Sequence, residues 1–338
     1  MKKVSAIIVN WNGKNDTADC VQSLLEQDYP NVEIIVSDNG STDGSLDFLR
    51  ERFSTSIRLL ENGRNLGFGT AVNRGFKAAV GDYLIFLNND LILEPNSISE
   101  LTQLLEADSG IGAVVPKILY YEKRGILNSY GVLIHYTGIA CPEKLDQTDD
   151  PDLELTETAC GGIFMFPRKV YETIGGFDED LFLYHEDHDL SWRIRLHGWK
   201  IRVTPRAVLY HHYKFNKGIR KFYYSEKNRL HILLKNLELK TLVLIFPALL
   251  IVESAQWVHS ILHGWLHLKF KSYWELAALL PRILKKRKTI QACRQVSDHE
   301  IVRLYQGRLA VAGLNHPLMK NFLSPLLHVY WGLIRRFI

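Results

Sequence analysis

Cysteine is scarce in this chain, and its spacing limits the kinds of site it can build. The four cysteines lie far apart in the sequence, and no two of them form a Cys-x-x-Cys pair. They are Cys20, Cys141, Cys160 and Cys293. A Cys-x-x-Cys motif is therefore absent, and we expect reduced thiols in a cytoplasmic compartment.

Long apolar runs are also lacking. Residues 1–3 lead directly into an apolar strand pattern, so no signal-peptide stretch is expected there. An apolar segment in the second half, residues 242–252, contains Pro247 and is followed by Glu253. It is shorter than the roughly 20 residues that cross a bilayer, so we expect an interfacial or buried segment.

The net charge is only +4, but the charges are unevenly distributed along the chain. From residue 214 onward there are 21 Lys and Arg residues and 6 Asp and Glu residues, a balance of +15. The first 213 residues hold 20 Lys and Arg residues and 31 Asp and Glu residues, a balance of −11. Such asymmetry indicates two regions with different surroundings, of which the second faces something anionic.

Strand and helix patterns alternate over the first third of the chain. Strands are indicated at residues 4–9, 32–37, 57–60, 83–87 and 111–115. Helices are indicated from residue 15 or 16 to 27 and over 45–53, 69–80 and 96–107. Repeated β-α-β units with short connections predict an α/β fold with a mainly parallel sheet flanked by helices.

The pattern loosens over residues 116–158 and then becomes regular again. It predicts a strand at 159–166, helices at 168–174 and 187–197, and strands at 199–203 and 207–210. Beyond Tyr213 the composition shifts toward Leu, Trp, His and Lys. We therefore expect one domain over residues 1–212 and a helical, basic and apolar region over 213–338.

A predicted helix of the C-terminal region has an apolar face, formed by Trp257, Ile261, Trp265 and Leu268. The basic residues that follow are Arg282, Lys285, Lys286, Arg287 and Lys288. This combination is typical of a helix at an anionic bilayer surface. The alternative is a helix packed on its own domain with a solvated basic face. We interpret three histidines as the polar face of this helix: His259, His263 and His267.

Several polar side chains directly follow predicted strands, where an open α/β sheet collects its ligands. Asp38 ends the second strand, so its carboxylate can accept hydrogen bonds from a nucleobase or ribose. Asn88 and Asp90 follow the most apolar strand and can offer two oxygen ligands to a divalent cation. In isolation, each of these segments is more often only a turn.

Residues 65–69, with the sequence Asn-Leu-Gly-Phe-Gly, open a predicted helix. The glycines allow close backbone approach, and a helix N-terminus favours anions. The segment resembles a phosphate or ribose loop, although it matches neither the P-loop nor the dinucleotide-binding spacing.

Two further segments carry acids and imidazoles. Glu186 and Asp187 begin a helix, and Asp187 is a candidate base for an acceptor hydroxyl. Asp189 and Arg193 are interpreted as a helical ion pair. After a strand, His211 or the neighbouring His212 can complete a metal site, or either can be a surface histidine.

Taken in order, these segments resemble glycosyltransferase family 2, particularly its bacterial rhamnosyltransferase-like members. The resemblance covers residues 4 to about 212. It rests on residues 5–13, 36–45, 65–75, 86–90, 160–168, 175–178 and 186–193. It implies a GT-A fold, a nucleotide-diphosphate sugar donor and inversion at the anomeric carbon.

The resemblance also implies roles for single residues. Asp187 would be the general base, and Asp90 would bind Mg²⁺ or Mn²⁺ as the second acid of the family's Asp-x-Asp motif, whose first acid is replaced by Asn88. His211 would match a late metal-binding histidine. The donor-binding residues would be Asn10, Asp38, Asn65, Gly67, Asn88 and Asp90. The acceptor side would be bordered by Gly161, Gly162 and Glu186.

These expectations describe an inverting, metal-dependent transferase that moves rhamnose or another hexose to a glycan or lipid-linked saccharide in cell-surface polysaccharide synthesis. We expect it on the cytoplasmic face of the inner membrane, peripheral or with a short insertion, and without a nucleic-acid partner. Two alternatives are a polyprenyl-phosphate glycosyltransferase and a non-catalytic, membrane-docked module that binds nucleotide sugars.

Overall fold

A computed structural model describes residues 1–213, 218–309, 317 and 319–338. The strands of this part of the chain are β1 (Val4–Asn10), β2 (Val32–Asp38), β3 (Arg58–Glu61), β4 (Tyr83–Asn88), β5 (Leu91–Leu93), β6 (Ile111–Tyr120), β7 (Leu127–Ser129), β8 (Val132–Ile134), β9 (Ala140–Pro142), β10 (Thr156–Glu157), β11 (Met165–Pro167) and β12 (Lys200–His211). Its α-helices are α1 (Lys14–Leu25), α2 (Ser45–Phe53), α3 (Phe68–Ala78), α4 (Ser97–Ala107), α5 (Arg168–Ile174), α6 (Glu186–Leu196), α7 (Arg220–Asn236), α8 (Leu239–Leu262), α9 (Leu266–Cys293), α10 (Asp298–Val302) and α11 (Ser324–Ile334).

One large sheet runs in the order β10-β12-β6-β11-β4-β1-β2-β3, with β5 beside β12 and β7 beside β6. The pairs β1–β2, β1–β4, β2–β3 and β6–β12 are parallel. Short β11 is antiparallel to both β4 and β6, so these two strands point the same way. The carboxyl ends of the parallel strands therefore lie along one edge of the sheet, called here the carboxyl edge. The predicted α/β architecture is confirmed.

The two strands predicted at 199–203 and 207–210 are one strand, β12. Its pairing with β6 shifts register between Thr204 and Val208. Pro205, which lies inside this shift, has no N–H to donate, so the chain bulges there and then continues along β6. The result is a strand long enough to bring His211 to the carboxyl edge.

The strand predicted at 159–166 is wrong for most of its length, because only Met165–Pro167 is regular. Cys160 makes a single bridge to Val132, and the chain at Gly161 and Gly162 is irregular. A Cβ atom at Gly161 would lie 2.4 Å from Val115 Cγ2, so the backbone itself packs against β6. Because the two glycines lack side chains, the backbone can approach its neighbours closely here, and it does not pair as a regular strand.

Helix α6 lies between two hydrophobic cores. Its Leu190 and Ile194 belong to the core around the sheet. Its Trp192 and Leu196 belong to a second core, which includes residues of α7, α8, α10 and α11. The helix that begins with Glu186 and Asp187 is therefore fixed from both sides.

The C-terminal region is helical, as expected, but its helices differ from the predicted ones. Helix α8 runs through Pro247 for 24 residues, and the chain then turns at Gly264, whose φ is +71°. Trp265 is buried in this turn and donates its indole N–H to His259 Nδ1 at 3.1 Å. The predicted single face of Trp257, Ile261, Trp265 and Leu268 is therefore wrong, and so is the predicted alignment of His259, His263 and His267 on one helix.

By length and composition, α8 is the one helix among the described residues that is apolar enough to cross a membrane. The most apolar 18 residues of this helix have a mean hydropathy of 1.8, and 22% of this stretch is buried in the protein.

Candidate active site

Polar residues at the ends of β1 and β2 form a hydrogen-bonded network on the carboxyl edge. Asn10 and Asp38 are register partners on these strands, and both side chains are buried. The Asp38 carboxylate accepts from Asn10 Nδ2 at 2.8 Å, from Ser41 Oγ at 2.5 Å, and from the backbone N–H groups of Gly40 and Ser41. Four donors satisfy this carboxylate, so Asp38 shapes the turn that follows β2.

Asn10 connects that turn to the end of β4. Its Oδ1 accepts from Thr17 Oγ1 at 2.7 Å and from Asn89 Nδ2 at 3.4 Å. Asn89 also donates to Thr17 Oγ1 at 3.1 Å. The segment of residues 88–90 is therefore fixed by neutral amide and hydroxyl groups, with Asn88 at the last position of β4.

The loop of residues 65–69, called here the donor loop, packs against the chain that leads into α6. Asn65 Oδ1 accepts from the backbone N–H of Gly67 at 2.9 Å. The N–H of Phe68 donates to Phe182 O at 3.0 Å, and a Cβ at Gly67 would lie 2.5 Å from the same oxygen. A Cβ at Gly69 would lie 3.8 Å from Glu186 Cβ. The structure thus brings the predicted donor loop and the predicted helix start together.

Asp90 and His211 face each other at the carboxyl edge. Asp90 Oδ1 lies 3.3 Å from His211 Nε2, and the other ring nitrogen of His211 is 3.0 Å from Asn128 Oδ1. His212 points elsewhere, since its ring lies over Tyr121 and its Nδ1 is 3.6 Å from Glu122. Of the two histidines, His211 is the one beside Asp90.

The chemistry of this pair fits a divalent cation. When His211 donates its Nδ1–H to Asn128, its Nε2 presents a lone pair toward a carboxylate oxygen, an arrangement that a shared cation would stabilise. The described residues contain no cluster of three or more His, Cys, Asp or Glu side chains suited to a metal. A site with two protein ligands is still usual for Mg²⁺, which takes its other ligands from water and substrate phosphates.

Residues 182–185, called here the presenting loop, place Asp187 at the start of α6. Tyr184 and His185 both have φ of +68°, in the left-handed region. Such a conformation costs roughly 1–2 kcal/mol for each non-glycine residue. Neighbouring groups must therefore hold these two residues in place.

Asp187 lies in the second position of α6, next to the predicted acceptor side. Its Oδ1 accepts from the N–H of His188 at 2.8 Å, and a Cβ at Gly162 would lie 3.8 Å from its Oδ2. Burial raises the pKa of Asp187 to about 6. A carboxylate with such a pKa is a better base than an ordinary aspartate and remains mostly ionised at neutral pH.

Behind Asp187, a buried charge cluster joins α6 to α7. Lys235 lies 2.7 Å from Asp189 and also pairs with Asp178. Asp189 pairs with Arg193 at 2.9 Å, which confirms the predicted helical ion pair. Burial alone would raise the pKa values of Asp178 and Asp189, but Lys235 and other nearby cations hold both below the usual range.

Sequence reasoning missed the residues of α7 that support this side of the site. Asn228 and Lys235 are both almost fully buried, and α7 buries further polar side chains around them, among them Glu226, Arg229 and His231. A polar residue that recurs at core-facing positions of a helix is the signal that could have identified them. The presenting loop, α6 and α7 are called here the base side, after the predicted role of Asp187.

Comparison with known proteins identifies the family. The family profile described as "Glycosyl transferase family 2" matches residues 5–175. The chain belongs to glycosyltransferase family 2. A second profile, described as "N-terminal domain of galactosyltransferase", matches residues 149–216.

Among curated relatives of this family member, an N-acetylglucosaminyl-diphospho-decaprenol L-rhamnosyltransferase of Mycobacterium tuberculosis is 31% identical over 215 residues. That match covers 55% of this chain and 68% of the relative. A poly-beta-1,6-N-acetyl-D-glucosamine synthase of Staphylococcus epidermidis is 23% identical, and the match covers 61% of this chain and 48% of the synthase. The matched part thus spans about two thirds of the first relative and half of the second.

Solved structures agree with a GT-A fold. Crystalline GalNAc-T7 with UDP, GalNAc and Mn²⁺ superimposes with a TM-score of 0.58 and 20% identity, covering 69% of this chain and 48% of that one. Staphylococcus aureus TarS superimposes with a TM-score of 0.51 and 17% identity, covering 73% and 43%. The protein is a glycosyltransferase with a rhamnosyltransferase-like relative, as the sequence predicts.

Proposed function

We propose that this enzyme transfers rhamnose or another hexose, with inversion, from a nucleotide-diphosphate donor to a glycan or lipid-linked saccharide of the cell surface. The observation that carries the proposal is the contact between the donor loop and the start of α6. Phe68 N–H donates to Phe182 O, and Gly69 lies against Glu186. A donor bound at residues 65–69 would therefore have the Asp187 carboxylate close to its sugar.

The donor site would combine the polar ends of β1, β2 and β4 with the donor loop. Asn10 and Asp38 would line the bottom of this site, and Asn65 and Gly67 would line one wall of it. Asn88 would contribute a neutral oxygen. Asp90 and His211 would hold Mg²⁺ or Mn²⁺ against the diphosphate. A bound metal ion stabilises the negative charge of the leaving nucleotide diphosphate.

Asp187 would act as the base of a single displacement. Its carboxylate takes the proton of the acceptor hydroxyl while the hydroxyl oxygen forms a bond to the anomeric carbon. The bond from that carbon to the diphosphate oxygen breaks with its electron pair, so the nucleotide diphosphate leaves and the anomeric centre inverts. Gly161 and Gly162 lack side chains where the acceptor would approach, and Glu186, which precedes Asp187 at the start of α6, would border the same side.

The test of this function is Asp187→Asn, assayed as release of nucleoside diphosphate from a panel of UDP-, GDP- and dTDP-hexoses that includes dTDP-rhamnose. Loss of a positioned base lowers the rate by about 10²–10⁴-fold. Because Asn keeps the shape, donor binding measured by calorimetry should remain near the wild-type value.

Glu186→Gln is the matched control, since it makes the same acid-to-amide change one residue earlier in the same helix turn. We expect a smaller loss. The reverse ranking would move the base to Glu186, and unchanged rates in both variants would overturn the assignment of the base to this helix start. Binding of nucleotide sugars by the wild type without any release of nucleoside diphosphate would favour the alternative of a non-catalytic module.

We also propose that the enzyme docks on the cytoplasmic membrane surface through an apolar face of α8, α9 and α11. On α8 the exposed apolar side chains are Leu239, Val243, Phe246, Leu250, Ile251, Val258, Ile261 and Leu262. On α9 they are Phe270, Trp274, Leu280 and Leu284. In and around α11 they are Phe322, Leu326, Val329, Leu333 and Phe337. We name this set the apolar face.

Each of these helices is also packed on the protein by a different stripe of residues. In α8 the buried side chains include Ile245, Ala248 and Val252. These buried side chains point about half a helical turn away from the exposed ones, so α8 is apolar on two opposite sides. Glu253 points inward, where it pairs with the buried cations Arg229 and Lys269. This arrangement supports a helix that lies on a bilayer with one side in the lipid rather than one that crosses it.

Only part of the predicted basic cluster is available for lipid. Lys286 pairs with Asp178 and Asp180, Arg287 donates to the carbonyls at the end of α7, and Arg282 lies 3.6 Å from Asp180. For Lys286 and Arg287, the alternative of a helix packed on its own domain is the better interpretation, whereas the side chain of Arg282 stays largely exposed. Lys285 and Lys288 are exposed and can attract anionic lipid headgroups.

Flotation of the purified protein with phosphatidylcholine vesicles, with and without phosphatidylglycerol, tests the docking. Trp274→Ala should weaken binding to both vesicles, whereas Lys285→Glu with Lys288→Glu should weaken it only with phosphatidylglycerol and at low salt. Lys77→Glu with Lys169→Glu, two exposed lysines outside the C-terminal helices, is the charge-matched control. Equal binding by all variants would refute docking through this face.

The apolar face also keeps open the alternative of a polyprenyl phosphate as the acceptor. A lipid surface beside the enzyme suits a polyprenyl phosphate and a lipid-linked saccharide equally well. Adding each to the transfer assay, and identifying the glycosylated product by mass spectrometry, separates the two.

A further inference from the structure

We propose that Asn228 of α7, assisted by Ser225, is a positioning residue that keeps Asp187 in its working place. The proposal rests on the function proposed above for Asp187. It concerns residues that lie outside the matched family profile of residues 5–175 and within the C-terminal helical region.

The first observation is that one side chain ties together two successive carbonyls of the presenting loop. Asn228 Nδ2 donates to Leu183 O at 2.9 Å and to Tyr184 O at 2.8 Å. Asn228 itself is completely buried. Both of its amide hydrogens are therefore used on the loop that leads into α6, away from competing water.

The second observation is that these contacts fall where the backbone needs support. Tyr184 and His185 are in the left-handed region, and Asp187 follows two residues later. Ser225 Oγ lies 3.3 Å from His185 Nε2, and the ring of Tyr224 stacks on Phe182 at 5.3 Å. Tyr224, Ser225 and Asn228 of α7 thus contact the loop over its whole length.

The third observation is that the opposite side of the loop belongs to the donor site. Phe182 O accepts from Phe68 N–H of the donor loop. The presenting loop is therefore fixed between the donor loop and α7. A displacement of the loop away from α7 would move Asp187 relative to the donor, and a displacement of about 1 Å can cost roughly 10²-fold in rate.

The experiment replaces the Asn228 amide by a carboxylate of the same shape. Asn228→Asp removes both hydrogen-bond donors and faces the two carbonyls with negative charge. We expect kcat to fall by about 10–10²-fold with little change in donor KM. Because the new carboxylate would itself act on the ionisation of Asp187, this variant is judged by kcat, KM and hydrogen exchange, and the pH profile is measured in the uncharged variant Ser225→Ala.

Gln291→Glu is the matched control. Gln291 Nε2 also donates to two consecutive carbonyls, Asn236 O at 2.8 Å and Leu237 O at 3.5 Å, but these lie at the far end of α7. It should retain the kcat and the pH profile of the wild type. Hydrogen exchange followed by mass spectrometry should show faster exchange at residues 183–187 in Asn228→Asp and no change there in Gln291→Glu.

If Asn228→Asp does not fold, Ser225→Ala decides the question. It removes one partly buried hydroxyl, adds no charge, and leaves Glu186, His188 and Cys160 beside Asp187 unchanged. Because a looser loop lets water reach Asp187, the acidic limb of the kcat profile should move to lower pH. Wild-type exchange and kcat in a folded Asn228→Asp, together with a strong loss in Asp187→Asn, would overturn the positioning role while leaving the base in place. Full activity of Asp187→Asn would instead overturn the proposed function.

Discussion

The carboxyl edge and the base side are held together by different kinds of interaction. At the carboxyl edge, Asp38 is surrounded by amide, hydroxyl and backbone N–H donors. At the base side, Asp178 and Asp189 are neutralised by buried lysine and arginine side chains. Neutral donors do not titrate near neutral pH, whereas a buried ion pair depends on the charge of both partners. The two sides of one site should therefore respond differently to substitution and to pH.

The largest expected effect distinguishes donor binding, proposed for the carboxyl edge, from base catalysis, proposed for the base side. Asp90→Ala should abolish transfer and weaken donor binding in the presence of Mn²⁺, because it removes the carboxylate beside His211. Asp187→Asn, in contrast, should leave donor binding intact. Calorimetry with Mn²⁺ and the nucleoside diphosphate that the release assay identifies, together with that assay, measures both quantities.

The histidines provide the matched pair for this experiment. His211→Ala should reproduce the loss of Mn²⁺-dependent binding, and His212→Ala, whose ring lies over Tyr121, should not. Full transfer by the wild type in excess chelator would remove the metal from the proposed mechanism.

The next largest effect concerns stability. Lys235→Ala leaves Asp178 and Asp189 without their shared cation, and breaking a buried ion pair in this way costs about 3–5 kcal/mol. Urea unfolding at neutral pH measures the free energy of unfolding. Lys240→Ala, which truncates an exposed lysine at the start of α8, should change it by less than about 0.5 kcal/mol. Equal effects of the two truncations would mean that the charge cluster does not stabilise the fold.

The pH dependence of that difference sharpens the comparison. The pKa values of Asp178 and Asp189 are lower in the folded protein than in the unfolded chain. Their stabilising contribution is complete above the unfolded value of about 3.9 and is lost as pH falls through the folded values. The destabilisation caused by Lys235→Ala should therefore be greatest near neutral pH and shrink below about pH 5. A difference that stays constant with pH would contradict the ion-pair explanation.

The smallest effect belongs to the carboxyl edge. Thr17→Val removes the hydroxyl that links Asn10 to Asn89 and keeps the side-chain shape. We expect a loss of about 1 kcal/mol, typical of a neutral hydrogen bond. Because none of these groups titrates, urea unfolding should give the same loss at acidic and neutral pH. A strongly pH-dependent loss would mean that the Thr17 hydroxyl interacts with a charged group.

The sequence predicts one side of the site better than the other. Asp38 and Asp90 stand directly after apolar strands, so their place on the carboxyl edge follows from local pattern and parallel pairing. The Asp90–His211 contact needed the long β12, whose continuation past Pro205 the local pattern did not indicate. The local sequence pattern predicts where a strand ends, but it does not predict that a strand bulges and then continues.

The support of Asp187 could not be predicted from local pattern. Asn228 and Lys235 act on residues about 45 positions or more away in the sequence, and their polar character gave no sign of the partner they meet. The same limitation applies to the C-terminal helices. The turn at Gly264 separates α8 from α9, although the side-chain pattern continues across it.

Helix α6 has a consequence for how the chain can be divided. Leu190 and Ile194 need the sheet, and Trp192 and Leu196 need the C-terminal helices. A fragment cut at residue 212 would expose half of α6 to water and would be prone to aggregate. A chimaera that exchanged the C-terminal region for that of a relative would need a graft whose surface fits Trp192. We therefore expect that the enzyme cannot be divided into two stable parts at the change of charge near residue 213.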